Sequence, residues 1–205
     1  MIVVENGSTD NTLNIARELA SRTSSLIVTH EELSGKGNAV RRGMLSARGE
    51  YRFICDADLS MPIEEITKFL PPQLEEFDLA IGSREAKGAV RYNEPSYRHW
   101  GGRAVNLAIR LLILPGLQDT QCGFKCFRAE TTLSLFQQQT LTGWSFDIEL
   151  LYLARRKKLC TKEIPIQWYF DADSKVNAVR DALRMVSDIF RIHANALRGK
   201  YDLQP

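Results

Sequence analysis

The sequence contains no apolar run that could cross a lipid bilayer, which takes roughly 18 or more residues. Its most apolar stretch, from Leu107 to Leu117, is too short and contains Arg110. Cysteine is scarce: the chain has four, Cys55, Cys122, Cys126 and Cys160, and no two of them form a CxxC pair. The sequence therefore predicts no membrane span within these 205 residues, no structural zinc site, and reduced thiols of the cytosolic kind.

The sequence also has no large excess of positive or negative side chains. Lys and Arg number 27 against 25 Asp and Glu, which gives a formal net charge of +2. Bulk charge therefore does not indicate nucleic acid as a partner. Internal repeats and low-complexity segments are absent, and the content of 44% hydrophobic and 25% charged residues is that of an ordinary globular protein. We expect a single domain over residues 1–205.

Strands and helices are predicted to alternate through the first part of the chain. Apolar runs at 2–4, 26–29, 51–55 and 78–81 predict strands, and helical patterns lie between them. This alternation is typical of an α/β fold in which helices flank a mostly parallel sheet. Ligands bind beyond the carboxyl ends of the strands in such sheets. Three polar clusters fall at those ends, over residues 5–10, 56–60 and 82–84.

The second part is less regular. A polar loop is predicted over 85–95, and a polar segment at 119–127 leads into a strand. Another strand is predicted over 162–169, in which Pro165 indicates either an edge strand or a bend. Helices are predicted over 96–114, 129–137, 146–157 and 177–197.

Asp56 and Asp58 flank Ala57 directly after an apolar strand. Two carboxylates at this spacing can reach one cation, and Mg²⁺ and Mn²⁺ prefer oxygen ligands and often bridge to substrate phosphates. Acidic turns without a ligand are also common. Both interpretations stay open, and the position after a strand of a parallel sheet favours the metal site.

Lys36 lies between two glycines, Gly35 and Gly37, just before a predicted helix. Backbone N–H groups at such a point suit an anion, although a plain helix-start turn fits the pattern equally well. Residues 5–10 could hydrogen-bond a base or a ribose, or Ser8 or Thr9 could cap the following helix.

Acids and arginines in the second half are candidates for catalysis and phosphate binding. Asp119 and Gln121 lie in the polar segment, and Asp147 lies at a helix start, where it could act as a base, orient an acceptor or merely favour the helix terminus. A phosphate-bearing acceptor would need some of the polar-stretch cations, which include Arg84, Arg103 and Lys175. Basic residues at 155–158 and along 180–200 fit either an anionic membrane surface or an ordinary exposed helix face.

Taken together, these motifs resemble those of the family 2 glycosyltransferases, which have the GT-A fold. The segments that carry the resemblance are residues 3–12, 35–41, 56–58 and 82–84. The resemblance implies a nucleotide-sugar donor and a Mg²⁺ or Mn²⁺ cofactor held by Asp56 and Asp58. It also implies a set of donor-binding residues: Glu5, Asn6, Ser8, Asp10, Lys36, Asp56, Ala57 and Asp58.

Within that family, segments 119–125, 143–147 and 174–177 are most similar to those of the dolichyl-phosphate sugar synthases, of the β-glucosyl and mannosyl types. The resemblance implies that a hexose is transferred with inversion from UDP-glucose, the favoured donor, or from GDP-mannose to a polyprenyl phosphate at the cytosolic face of a membrane. It implies catalytic roles for Asp119, Gln121 and Asp147, and acceptor-phosphate contacts for Arg84, Arg103 and Lys175. A soluble or polysaccharide acceptor, and a truncated remnant that binds a nucleotide without turnover, stay open as alternatives.

The chain departs from the family pattern at two points. Where the family usually has two acids before Gly-Ser, this chain has Glu5 and Asn6. The family's first strand and its Pro-x-Tyr-Asn-Glu-type motif have no counterpart ahead of Met1, so we expect the sheet to lack a central strand. Residues 1–84 are expected to form the nucleotide-sugar half, 85–175 the acceptor half, and 176–205 a basic C-terminal helix.

Overall fold

The computed structural model describes residues 1–58, 60–171 and 178–202. Its strands are β1 (Ile2–Glu5), β2 (Ile27–His30), β3 (Tyr51–Cys55), β4 (Leu79–Ser83), β5 (Val90–Tyr92), β6 (Phe124–Arg128), β7 (Thr161–Pro165) and β8 (Gln167–Tyr169). Its α-helices are α1 (Thr12–Arg22), α2 (Lys36–Ser46), α3 (Ser96–Leu112), α4 (Ala129–Gln138), α5 (Phe146–Arg156) and α6 (Ala178–Leu197). A 3₁₀ helix, Ile63–Phe69, lies between β3 and β4.

Most of the strand pairing is parallel. Parallel pairs join β1 to β2, β4 to β7, and β5 to β8. Strand β6 is antiparallel to both of its neighbours, so the four-stranded sheet has the order β3-β6-β4-β7. The predicted α/β fold with a mostly parallel sheet and flanking helices is confirmed.

Helix α2 connects the β1–β2 sheet to the four-stranded sheet. In the part of the chain that the structure describes, β1 and β2 form a sheet of their own, and α2 packs against both β1 and β3. At the amino end of α2, the backbone N–H of Gly35 donates to Asn6 just after β1, and Lys36 contacts Asp56 just after β3. The start of this helix therefore meets the carboxyl ends of both strands.

The core is divided by the four-stranded sheet because successive side chains of a strand point to opposite faces. On β4, Leu79 and Ile81 join the larger apolar cluster, which includes residues of α3, α4, α5 and α6, while Ala80 joins the cluster on the other face. That second cluster contains edge-to-face aromatic pairs, with Phe53 and Phe124 ring centroids 4.5 Å apart. Such pairs favour one defined packing over a loose one.

All four cysteines are free, and burial raises the pKa of the Cys122 and Cys126 thiols to about 12. Within the described ranges, no helix combines the length and the apolar character needed to cross a membrane.

Several predicted boundaries were wrong. Helix α2 begins at Lys36 itself rather than just after it, and the helical pattern between β3 and β4 forms a 3₁₀ helix. The strand predicted over 162–169 divides at Ile166 because its two parts pair with different partners, β7 with β4 and β8 with β5. Strand β5 lies in the segment predicted as a loop, where tertiary pairing with β8 outweighs a weak local preference.

The predicted cap of α1 was wrong as well. Neither Ser8 nor Thr9 caps it; the Asp10 carboxylate accepts the backbone N–H of Thr12 at 3.0 Å. The reason is that the helix starts only at Thr12, while the Ser8 N–H donates to Glu5 instead.

Candidate active site

Two glycines allow the start of α2 to press against the segment that precedes α5. A Cβ on Gly35 would lie 2.3 Å from the Thr142 carbonyl oxygen, and one on Gly37 would lie 2.7 Å from that of Leu141. Gly35 also has φ of 129°, a conformation that favours glycine. The Gly37 N–H donates to the Thr142 oxygen at 2.8 Å. Residues 35–37 and 139–146 therefore form one close seam.

The seam places Lys36 between an aromatic ring and a carboxylate. Its Nζ lies 4.9 Å from the centroid of the Trp144 ring and 2.7 Å from Asp56 Oδ2. Both charged side chains are mostly buried. The predicted cation of the glycine segment and the first acid of the Asp56-Ala57-Asp58 turn are thus direct partners.

Asp56 follows β3 and needs the space that a glycine leaves. Its backbone N–H donates to the Gly123 oxygen at 3.1 Å, and a Cβ on Gly123 would lie 1.9 Å from Asp56 Oδ2. Asp58 and Ala57 are exposed, and Asp58 Oδ1 accepts the Ser60 N–H at 3.0 Å. The turn therefore presents one anchored and one exposed carboxylate.

Asp147 lies in the first turn of α5 and is paired with a buried lysine. Lys125 Nζ is 2.6 Å from Asp147 Oδ1, both side chains are buried, and the ammonium also donates to the Cys122 carbonyl. Burial raises the pKa of Asp147 above its ordinary value, while Lys125 and Lys36 act to lower it and Asp56 acts to raise it. Asp147 is therefore close enough to Lys36 and Asp56 to share one electrostatic environment.

Arg84 and Asp119 form a second buried pair. The guanidinium donates from Nε to Oδ2 at 2.7 Å and from Nη2 to Oδ1 at 2.9 Å, and the Arg84 backbone N–H also reaches Oδ2. Burial would raise the pKa of Asp119, but Arg84 outweighs it and holds that pKa at about 2. Asp119 likewise raises the pKa of Arg84 against the effect of burial. The structure therefore shows that two residues predicted for different roles, Asp119 for catalysis and Arg84 for contact with a phosphate, bind each other.

The segment around Asp119 is held by backbone contacts. Glu163 of β7 accepts the N–H groups of Gln118 and Asp119 at 2.9 to 3.0 Å. The Gln121 N–H donates to Asp119 Oδ1 at 3.2 Å. Gln121 Nε2 is buried without a partner in the described part of the chain, and such an unsatisfied polar group is unusual in a folded protein.

The polar residues after β1 are engaged with each other and with β2. Glu5 lies 2.5 Å from His30 Nδ1, and the Ser8 N–H and His30 hold the pKa of Glu5 below its ordinary value. Asn6 donates to the oxygens of Glu31 and Leu33 and accepts the Gly35 N–H. Asn6 therefore fixes the segment that positions Lys36.

The remaining predicted residues are exposed or lie outside the described residues. Arg103 is exposed on α3, and Asp10 and Ser8 are exposed before α1. Lys175 lies outside the described residues.

Sequence analysis missed the partners that hold the predicted residues. Lys125 and Trp144 contact Asp147 and Lys36, and Glu149 accepts the N–H groups of Thr140 and Leu141 at 2.9 and 2.7 Å, which fixes the seam. Lys125 carried a usable signal, since a lysine within a buried strand needs a counter-charge. No signal pointed to Trp144.

The donor set of the acidic turn is compatible with a divalent metal. Across the described ranges, no group of three or more His, Cys, Asp or Glu side chains could hold a metal ion alone. Asp56 and Asp58 supply carboxylate oxygens from one turn, and Gly123 leaves room for the carboxylate of Asp56. This fits Mg²⁺ or Mn²⁺, which commonly take remaining ligands from water and substrate phosphates.

Comparison with known proteins fits this arrangement. Residues 1–136 match the sequence pattern of Glycosyl transferase family 2. The chain belongs to that family. Members with curated descriptions include the dolichyl-phosphate beta-glucosyltransferases of Drosophila melanogaster, 34% identical over 98% of this chain, and of Homo sapiens, 31% identical over 100% of it. The chain covers 65% and 66% of those two proteins, so this family 2 chain spans about two thirds of their length.

Solved structures support the GT-A fold of this family 2 chain. Glucosyl-3-phosphoglycerate synthase from Mycobacterium tuberculosis, in complex with uridine-diphosphate, matches with a TM-score of 0.59 and 18% identity. The match covers 100% of this chain and 69% of the synthase. The same synthase in complex with Mn²⁺, UDP-glucose and phosphoglyceric acid also has a TM-score of 0.59.

Proposed function

We propose that this family 2 glycosyltransferase transfers a hexose, with UDP-glucose as the favoured donor, to a polyprenyl phosphate of the dolichyl type. The observation that carries the proposal is the group of two ion pairs, Lys36 with Asp56 and Lys125 with Asp147, which α2, the end of β3, β6 and α5 bring together. Supporting it, dolichyl-phosphate beta-glucosyltransferases from several organisms match nearly the whole chain at about 30% identity.

The transfer joins an acceptor phosphate oxygen to the anomeric carbon of the sugar as the bond from that carbon to the nucleoside diphosphate breaks. The departing diphosphate takes the electron pair, and attack from the opposite side inverts the anomeric centre. Because a phosphate oxygen is already anionic, no side chain has to remove a proton. The residues therefore act through position and charge.

Lys36 and the acidic turn are the proposed donor side of the site. Lys36 would contact a diphosphate oxygen, which requires its ammonium to exchange Asp56 for the donor. Asp56 and Asp58 would hold Mg²⁺ or Mn²⁺, and the ion when bound neutralises charge on the departing diphosphate. A Mycobacterium tuberculosis synthase of the same fold has been solved with Mn²⁺ and UDP-glucose.

Asp147 is the proposed residue that orients the reacting groups. Its carboxylate lies at the amino end of α5 and is held by Lys125. Asp119 and Arg84 would position the neighbouring segment, from which Gln121 reaches the substrates. Arg103 and Lys175 stay our candidates for the acceptor phosphate.

The test is the transfer of label from UDP-glucose or GDP-mannose to a short polyprenyl phosphate, with Mg²⁺ or Mn²⁺ present. We expect a glucosyl lipid product, and a loss of about 100-fold or more in Asp147→Asn, the range seen when an electrostatic contact of this kind is removed. Glu18→Gln, which removes an exposed acid on α1, is the control and should retain activity.

Each other outcome assigns a different function. Product with GDP-mannose alone would contradict the favoured donor and keep the acceptor class. Product with a soluble acceptor, and none with the lipid phosphate, would contradict the acceptor class. Binding of UDP without any product would indicate a nucleotide-binding remnant.

A further inference from the structure

Helix α6 carries an exposed row of apolar side chains. Leu183, Phe190 and Leu197 are 69%, 66% and 90% exposed, and Val186 is also exposed. Residues three, four or seven apart lie on nearly the same side of a helix, so these four side chains form one row. Ile189 points instead into the core. The row is therefore additional to the face that holds the helix on the protein.

A row of arginines runs beside the apolar row. Arg184, Arg191 and Arg198 are exposed and are also spaced by seven residues. Arg184 and Arg191 each directly follow a member of the apolar row, so they lie about 100° around the helix from it. Arg198 directly follows Leu197, the last residue of α6. The outer surface of α6 is thus half apolar and half basic.

Helix α3 also exposes apolar side chains beside an arginine. Leu107 and Leu111, four residues apart, are exposed, and so is Arg110. Ile109 and Ile189 lie in the same core cluster, and α3 contacts α6. The two helices therefore pack side by side, and we name their exposed apolar and basic side chains together the α3–α6 face.

We propose that the α3–α6 face docks the protein on a bilayer surface that contains anionic lipids. Exposed leucines and a phenylalanine can enter the boundary between headgroups and acyl chains, while arginines attract anionic headgroups. A second copy of the chain fits this surface poorly, because two such faces would bring arginine rows together. Segment 183–198 has one acidic residue that could pair with the arginines of a second copy, Asp188, and its side chain is half-buried.

The docked orientation has a consequence for the acceptor. Arg103 is exposed and lies seven residues before Arg110, so both project from one side of α3. Docking would place a proposed phosphate contact at the depth of lipid headgroups. The docking itself depends on the surface alone and holds whether or not the proposed transfer is correct.

The experiment is co-sedimentation of the 205-residue chain with vesicles of phosphatidylcholine, alone or mixed with phosphatidylserine. Because these vesicles contain no polyprenyl phosphate, the result is independent of the proposed function. We expect binding to the mixed vesicles that weakens as salt is added. Leu183→Ser with Phe190→Ser should reduce the partition coefficient at least about tenfold, and so should Arg184→Gln with Arg191→Gln and Arg198→Gln.

The matched control is Ile15→Ser with Leu19→Ser on α1, where Ile15 is 53% exposed and Leu19 is 52% exposed. It should bind vesicles like the unchanged chain. Thermal unfolding should be similar for all variants, since every altered side chain is exposed. Equal binding by the α6 variants, or no binding of the unchanged chain to mixed vesicles, would overturn the proposal. A self-association of the unchanged chain that the Leu183→Ser and Phe190→Ser pair abolishes would assign the face to a second copy instead.

Discussion

The two buried ion pairs of the site differ in geometry. The Arg84 guanidinium donates to both oxygens of Asp119 in a bidentate contact, so both oxygens of that carboxylate already accept hydrogen bonds. The Lys125 ammonium is a compact point charge that divides its donors between Asp147 and the Cys122 carbonyl. A fork-shaped cation fixes a carboxylate more rigidly than an ammonium does. We therefore propose that Asp119 acts by positioning its segment and that Asp147 acts on the reacting groups.

The Asp119 pair predicts a dependence of stability on pH. The pKa of Asp119 falls from the ordinary 3.8 to about 2 in the folded protein. A lowered pKa contributes stability that is complete above the ordinary value and is lost as the pH falls toward about 2. The contribution at neutral pH is about 2 kcal/mol. Asp119→Asn should therefore lower the free energy of unfolding at neutral pH, because it leaves Arg84 buried without a counter-charge.

Urea unfolding at a series of pH values measures this difference. The gap between the unchanged chain and Asp119→Asn should narrow as the pH falls from 3.8 toward 2. Asp202→Asn removes an exposed partner of Arg156 and is the control. Its unfolding should differ little from that of the unchanged chain at any pH. A gap for Asp119→Asn that is constant with pH would contradict the assignment.

At the scale of elements, the seam between α2 and residues 139–146 decides where Lys36 lies. Gly37→Ala would put a Cβ 2.7 Å from the Leu141 oxygen and 2.9 Å from Phe146 Cβ. Since backbone and a core phenylalanine must yield, we expect a loss of about 1–3 kcal/mol in the free energy of unfolding. Binding of UDP should weaken as well, because Lys36 moves from Asp56 and Trp144. Unfolding in urea and titration calorimetry measure the two effects.

Gly143 of the same segment provides the control, because nothing lies within 4 Å of a Cβ built there. Gly143→Ala should leave both the unfolding midpoint and UDP binding close to those of the unchanged chain. Equal effects of the two substitutions would show that glycine flexibility, rather than close packing, sets the seam.

Sequence reasoning identified the polar residues that follow strands more readily than the contacts between elements. Asp56 was predicted from its position after an apolar strand, which depends only on local pattern. Trp144 gave no such signal, because it meets Lys36 only through the seam, more than a hundred residues along the chain. The division of the predicted strand over 162–169 was missed for the same reason: the choice of partner strand is a tertiary property.

At the scale of the whole molecule, the candidate site joins segments that are distant in the chain. Lys36, Asp56, Lys125 and Asp147 come from α2, the end of β3, β6 and α5, so a ligand bound among them ties these elements together. Anything that binds only the folded state stabilises it as a whole. Ligand binding can therefore be measured as stability, without relying on catalysis.

The last prediction uses this linkage to test the acidic turn. UDP with Mn²⁺ at a hundred times its dissociation constant should stabilise the unchanged chain by about 2.7 kcal/mol, which corresponds to a rise of about 5–10 °C in Tm for a chain of this size. Asp58→Asn should remove most of the rise, because the exposed carboxylate is the proposed metal ligand. It should not change Tm without ligand, since Asp58 is exposed.

Ala57→Ser, in the same exposed turn, is the control and should keep the full rise. A rise of equal size in Asp58→Asn, or one that persists when Mn²⁺ is omitted, would contradict a metal-assisted donor site.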